Sequence, residues 1–157
     1  MSPNTSAVLT FGLIAATACR NSVVVWNVAT RQDEFQLWHP ATVNCLTFTP
    51  DGRELIAGDL QRQVIVWRLA DRSKRLVLPH SSPVRALAVS PDGRSVYVVS
   101  GFDASISVFR RDADTGALTP GGCVSDTGSD GRCVNGTALR SVGDVGVSPD
   151  GGSAYAL

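Results

Sequence analysis

Two histidines, four cysteines and a scatter of aspartates are the residues of this 157-residue chain whose types could do chemistry. A hydrolase or transferase needs a nucleophile with its base, paired carboxylates or a metal cage, all converging on one point. His39 and His80 are the only imidazoles, and the chain has no G-x-S-x-G elbow, no phosphate-binding glycine loop and no C-x-x-C pair to go with them. They stand 41 residues apart, which suits structural histidines on corresponding edges of neighbouring repeat units rather than side by side. Asp112, Asp114, Asp126 and Asp130 are oxygen ligands of the kind Ca²⁺ takes, but D-x-D-x-G lacks the rest of a known calcium loop and Asp-Gly clusters are ordinary turn chemistry. The sequence therefore predicts no catalytic residue, no metal and no cofactor.

The cysteines divide into two pairs. Cys123 and Cys133 lie ten residues apart across a Gly-rich turn and could form a disulfide pinning the segment, a closure worth about 2–3 kcal/mol if unstrained. Cys19 and Cys45 fall in strand-like apolar stretches and are expected to be buried free thiols.

These groups need a scaffold, and the composition supplies one. The chain is 43% hydrophobic, with 14 basic residues against 14 acidic, the profile of one ordinary domain able to bury a core. Balanced charge gives no electrostatic reason to expect nucleic acid or an anionic membrane as partner. The apolar run "AVLTFGLIAATAC", Ala7 to Cys19, ends in small residues before a cysteine, as a lipoprotein signal does, but "MSPNTS" carries no basic residue. It is also too short to span a bilayer, and it reads as buried strand.

A repeat organises the rest. Trp26 and Trp67, His39 and His80, and Asp51 and Asp92 are each 41 apart, and Trp67 and Phe109 are 42 apart. The same turn is written three times, as TPDG with Asp51 and Gly52, SPDG with Asp92 and Gly93, and SPDG with Asp150 and Gly151. Proline fixes φ at one corner, aspartate bonds the backbone further along, and glycine takes the positive φ that closes the reversal. Runs such as "QVIVW" and "SVVVW" are apolar on both faces, so each must be covered on both sides by neighbouring sheets. A unit of about 40 to 45 residues with four strands is the blade of a β-propeller. The predicted fold is all-β, an incomplete ring of about three and a half blades.

In its first part, about residues 7 to 111, the chain resembles the WD-repeat family. The resemblance rests on a His four residues before the strand-opening Val, the PDG turn, and an aromatic closing the third strand at Trp26, Trp67 and Phe109. The dipeptide is degenerate, as Trp26-Asn27, Trp67-Arg68 and Phe109-Arg110. WD-repeat blades are often pinned by a hydrogen-bonded His, Ser or Thr, Asp and Trp. Counting back six from each aromatic puts Arg20, Gln61 and Asp103 at the Asp position, and Ala57 fills the hydroxyl position of the second blade, so no blade carries the full set. From Ser90 onward the chain resembles bacterial lactonase-like (YVTN-type) seven-bladed propellers, through SPDG, "VYVV", a V-F strand and a D-x-x-T-G-x-L turn. That resemblance implies a cysteine pair like Cys123 and Cys133 and hints at an oxidising compartment; the cytoplasm stays open beside it.

The expected units are a reduced blade at 7–35, a full one at 43–80, a third at 84–141 with a Gly-, Asp- and Cys-rich insertion at 112–141, and the start of a fourth at 142–157. "LTFGLIA" from Leu9 to Ala15 matches "LTFTPDGRELIA" with the turn deleted, which leaves one continuous strand open as an alternative to a hairpin. Three and a half blades cannot close alone. A fragment of a longer propeller is the first expectation, ahead of a homo-oligomer that completes the ring or an open arc on another chain. Function follows as a non-catalytic platform for a protein partner, with a lactonase-type hydrolase or surface-binding protein as the alternative. Trp38, in "FQLWHP" outside the apolar pattern, is either an anchor for that partner or a packing residue between blades.

Overall fold

The computed structural model describes residues 5–12, 14–102, 104–126, 133–136, 139 and 142–156. The first sheet contains β1 (Thr5–Phe11), β2 (Ile14–Cys19), β3 (Ser22–Asn27) and β4 (Gln32–Trp38) in that order. The second repeats the arrangement with β5 (Val43–Phe48), β6 (Glu54–Asp59), β7 (Gln63–Arg68) and β8 (Ser73–Pro79). In the third, β9 (Val84–Val89), β10 (Ser95–Ser100), β11 (Ser105–Arg111) and β12 (Leu118–Ser125) are followed by the short β13 (Val134–Asn135), which pairs in parallel with β12. A two-stranded sheet, β14 (Val145–Val147) with β15 (Ala154–Ala156), comes last. The opening strands pack in succession, β1 on β5, β5 on β9 and β9 on β14, so the sheets radiate as blades from one inner line. The fold is all-β, and the described residues form no closed ring.

The two-faced apolar strands explain the stacking. In β7, Ile65 and Trp67 enter a core shared with Val23, Val25 and Leu37 of the first blade. Val64 and Val66, on the opposite face, enter a core shared with Val84, Val96 and Val98 of the third. A third core joins Ala86 and Val99 to Leu139, Val142 and Val145. Burying one such Val or Ile side chain contributes roughly 1.5–3 kcal/mol, so each seam between blades is held mainly by the hydrophobic effect.

Of the two readings of Leu9 to Ala15, the hairpin holds and the continuous strand does not: β1 and β2 pair antiparallel, Phe11 opposite Ile14, about a turn with Gly12 at φ 56°. Deleting the PDG turn shortens the reversal without removing it, because a glycine in the left-handed region suffices for a tight hairpin.

The three PDG turns share one hydrogen-bond set. The hydroxyls of Thr49, Ser90 and Ser148 donate to Asp51, Asp92 and Asp150 at 2.5, 2.6 and 2.5 Å. The same hydroxyls accept from the backbone N–H of Glu54, Ser95 and Ser153 at 3.1, 2.9 and 2.9 Å. Each aspartate also accepts a backbone N–H two residues on, from Arg53, Arg94 and Gly152. Gly52, Gly93 and Gly151 take φ of 67°, 71° and 71°. The residue before the proline thus does as much as the three that follow it.

Candidate interaction face

One end of the arc is built from the tight β2–β3, β6–β7 and β10–β11 turns and from the β4–β5 and β8–β9 links. Backbone bonds tie links to turns: His39 N–H to Asn21 at 2.8 Å, Val43 N–H to Arg20 at 2.7 Å, Leu60 N–H to Thr42 at 3.1 Å and His80 N–H to Arg62 at 2.7 Å. A face made of loops is therefore held on hydrogen-bonded supports, which suits preorganised recognition.

The histidines lie beneath this face. His39 is buried, with Nδ1 3.2 Å from the Ala41 carbonyl and 3.6 Å from Asp59 Oδ2. Burial pushes the His39 pKa below its ordinary value, and the Asp59 carboxylate opposes this only in part. Asp59 Oδ1 accepts the Gln63 N–H at 2.8 Å. His39 Nε2 and Asp59 Oδ2 have no hydrogen-bond partner among the described residues. In the next blade His80 Nδ1 lies 2.9 Å from the Ser100 hydroxyl and its Nε2 3.1 Å from that of Ser107. The two imidazoles thus occupy matching places in different blades.

The polar set expected for a WD-repeat blade is divided among three blades. Trp26 Nε1–H donates to Thr17 Oγ1 at 2.9 Å in the first. The second keeps His39 beside Asp59, and the third has His80 with two serines. Ala57 stands where Thr17 stands, opposite Ile65 as Thr17 is opposite Val24, so Trp67 Nε1–H is buried without an acceptor among the described residues. The carboxylate facing His39 is Asp59, at the end of β6, and not the residue six before Trp67. Strand pairing fixes that position, whereas counting along the chain ignores where the turn begins. Phe109 has no N–H to donate, and Asp103 lies outside the described residues.

Trp38 closes β4 on this face with 65% of its surface exposed, which argues against packing between blades. Two apolar residues not singled out in the sequence join it there, Leu60 at 46% and Phe102 at 81% exposed. An apolar side chain in a tight turn between strands has no core face to meet, and that was the available signal. Leu60 and Phe102 line one cleft of roughly 530 Å³ with Asn44, Pro83, Arg85 and Gly143. Asn44 Nδ2 donates to the carbonyls of Val84 and Arg85 at 3.0 and 3.3 Å, holding the floor. The Arg85 side chain lies so close over Gly101 that a Cβ there would sit 2.0 Å from Arg85 Nε.

At the opposite end of the arc, the PDG end, Arg111 is buried. Its Nε donates to Glu54 Oε2 at 2.8 Å, a terminal nitrogen forms an ion pair with the same oxygen at 2.8 Å, and the guanidinium also donates to Asp51 Oδ2 at 3.2 Å and the Gly93 carbonyl at 3.1 Å. Asp51, pushed up by burial, is held below the usual carboxylate range by Thr49, the Arg53 N–H and Arg111. Asp92 and Asp150 are held low by Ser90 and Ser148 first, then by backbone N–H groups. Gly116 presses on the Glu54 carboxylate, where a Cβ would approach Oε1 to 2.0 Å. Asp112 turns inward on its own loop and accepts the N–H groups of Asp114 and Thr115 and the Thr115 hydroxyl. Asp130 lies outside the described residues; among those described, no group of three His, Cys, Asp or Glu could hold a metal ion.

The sulfur atoms of Cys123 and Cys133 are bonded, joining β12 to the segment leading into β13. Cys45 is buried and its thiol is pushed up to about 12 by that burial. Cys19 is exposed, contrary to expectation, because it ends β2 at the turn instead of lying within the strand.

The family model described as "Lactonase, 7-bladed beta-propeller" matches residues 6–157. The chain belongs to this lactonase family of seven-bladed propellers. The likeness legible from Ser90 onward thus extends over the first blades as well. No curated protein matches the sequence. Among solved structures, a hydrazine synthase chain from Kuenenia stuttgartiensis superposes with a TM-score of 0.80 at 17% identity, over 98% of this chain and 42% of that one. A chain of a mitotic checkpoint complex superposes with a TM-score of 0.73 at 21% identity, over 93% of this chain and 43% of that one. Both likenesses are of fold, and the chain spans less than half the length of either. No helix among the described residues is long and apolar enough to cross a membrane.

Proposed function

We propose that this lactonase-family chain is a non-catalytic interaction platform, an arc of a propeller that holds a protein partner on the face carrying Trp38, Leu60 and Phe102. The observation that carries the reading is the exposure of these three large apolar side chains at one end of the arc, above hydrogen-bonded links. Exposed aromatics on a rigid support are the usual anchors of protein interfaces. Further blades, or further copies of the chain, complete the ring.

The test is cross-linking mass spectrometry in extracts of the source cells, comparing the wild type with Trp38→Asp/Phe102→Asp and with Val28→Asp. Val28 is 45% exposed and follows β3 at the PDG end. A stoichiometric partner lost only in the double variant supports the platform; equal loss in both, or no partner, refutes it. Sedimentation of the purified chain separates a monomeric arc from an oligomer.

The family match favours a second reading, hydrolysis of a lactone by the complete propeller. No residue of this chain can be given a catalytic role in it. Lactone turnover above buffer by the full-length protein overturns the platform.

A further inference from the structure

The seam between the first two blades is not closed at the PDG end. A cleft of roughly 600 Å³ opens there, with Ile14, Val25 and Phe35 of the first blade on one wall and Leu69 of the second on the other. Arg53 and Arg68 line it from the second blade. Neither guanidinium has an ion-pair or hydrogen-bond partner among the described residues. The local carboxylates make their hydrogen bonds elsewhere, although Arg68 is near enough to help hold the exposed Asp71 carboxyl low. Glu54 is held by Arg111, Asp71 accepts the N–H and hydroxyl of Ser73, and Glu34 accepts a hydrogen bond from Asn27 Nδ2 at 3.0 Å. Phe35 is shielded on one side by Arg72, whose guanidinium sits 4.7 Å from the ring centre.

We infer that this cleft binds a small apolar carboxylate, its acid group on Arg53 and Arg68 and its hydrocarbon body between Ile14, Phe35 and Leu69. Volume and lining match small-molecule sites, which are mainly apolar with a few convergent polar groups. Two unpaired guanidiniums on one wall recognise an oxyanion through charge-assisted bonds. A single negative charge fits better than a phosphate dianion, since Glu34 and Asp114 also line the cleft and repel added charge. Arg111, shared between Glu54 and Asp51, leaves this bonded cluster with one net negative charge at the cleft floor, which adds to the repulsion of a dianion. This site lies at the end of the arc opposite Trp38 and Phe102, and its occupancy does not depend on the platform reading.

The experiment is calorimetric titration of the 157-residue chain with sodium octanoate, with octanol and octyl phosphate as comparisons. Saturable one-site binding of octanoate is expected, with octanol and octyl phosphate each weaker by about ten-fold or more, the scale of one charge-assisted bond. Arg53→Gln/Arg68→Gln should weaken octanoate by about ten-fold or more while leaving the thermal midpoint in place, because neither side chain is buried or bonded. Ala70→Trp, at the exposed rim, should block the cleft in an intact fold. Absence of saturable octanoate binding, an equal affinity for octanol, or unchanged affinity in the double variant each overturns the assignment.

Discussion

Replacing Arg111 by methionine tests the idea that one buried cation staples the second blade to the third. The Arg111 side chain is 1% exposed and that of Glu54 4%, so the pair is shielded from water; Asp51, at 31%, is partly screened. Three of the five guanidinium N–H groups are used in hydrogen bonds, one each on Glu54, Asp51 and the Gly93 carbonyl, and a terminal nitrogen also lies 2.8 Å from Glu54 Oε2. Arg111→Met leaves the Glu54 charge buried with no cation beside it, a change that costs about 3–5 kcal/mol, with at most about 1 more from the half-open Asp51 arm. Removing both charges avoids that penalty. Arg111→Met/Glu54→Met should recover most of the loss, since a buried ion pair exchanged for apolar side chains is often neutral to within a few kcal/mol. Urea unfolding of wild type, both single variants and the double variant, followed by tryptophan fluorescence, gives the coupling energy directly. A coupling of about 2 kcal/mol or more is expected. Additive single-variant costs, or a loss under about 1 kcal/mol for Arg111→Met, would falsify the staple.

Other expectations concern single positions. Ala57→Ser places a hydroxyl where Thr17 serves Trp26, and satisfying the Trp67 N–H should stabilise the chain by about 1 kcal/mol; a lower urea midpoint would show that Ala57 has no room for the added oxygen. Gly116→Ala, at φ 71° and against Glu54, should lower the thermal midpoint, whereas an unchanged midpoint would mean the loop simply lifts away. Stability should fall on acidification in two steps. Because the folded pKa of His39 is depressed, its contribution is complete above the unfolded value of about 6.5 and is lost as pH drops below it, a step that His39→Asn should erase. The depressed aspartates Asp51, Asp92 and Asp150 follow below about pH 4. Intact-mass measurement with and without reductant should differ by two hydrogens at Cys123 and Cys133, and free thiols in unreduced protein would remove the bridge.

The sequence made the blades legible because their determinants are local. A 41-residue recurrence of aromatic, imidazole and turn, with strands apolar on both faces, admits few architectures. What stayed hidden depends on which strand lies beside which. Asp59 faces His39 because it ends β6, two residues before the position a count from Trp67 gives, and Thr17 meets Trp26 only through the β2–β3 register. Arg111 reads as the end of an apolar strand, and its carboxylate partners lie 57 and 60 residues away in another blade. Trp38 stood out as an aromatic outside the strand pattern. Phe102 and Leu60 did not, because a single apolar residue in a short turn looks unremarkable until the turns of adjacent blades are set side by side.

The staple has a mechanical corollary. The seam between the second and third blades is riveted at both ends, by Asn44 on the Val84 and Arg85 carbonyls and by Arg111 on Glu54. Arg75 adds a bond to the Thr115 carbonyl at 3.1 Å. The seam between the first and second carries an apolar core, one stacked guanidinium and, at its loop end only, the Val43 N–H bond to the Arg20 carbonyl, while an open cleft lies at the PDG end. Under load or thermal fluctuation the arc should hinge along its first seam while the second and third blades travel as one body, so an array of near-identical repeats contains a built-in direction of yielding.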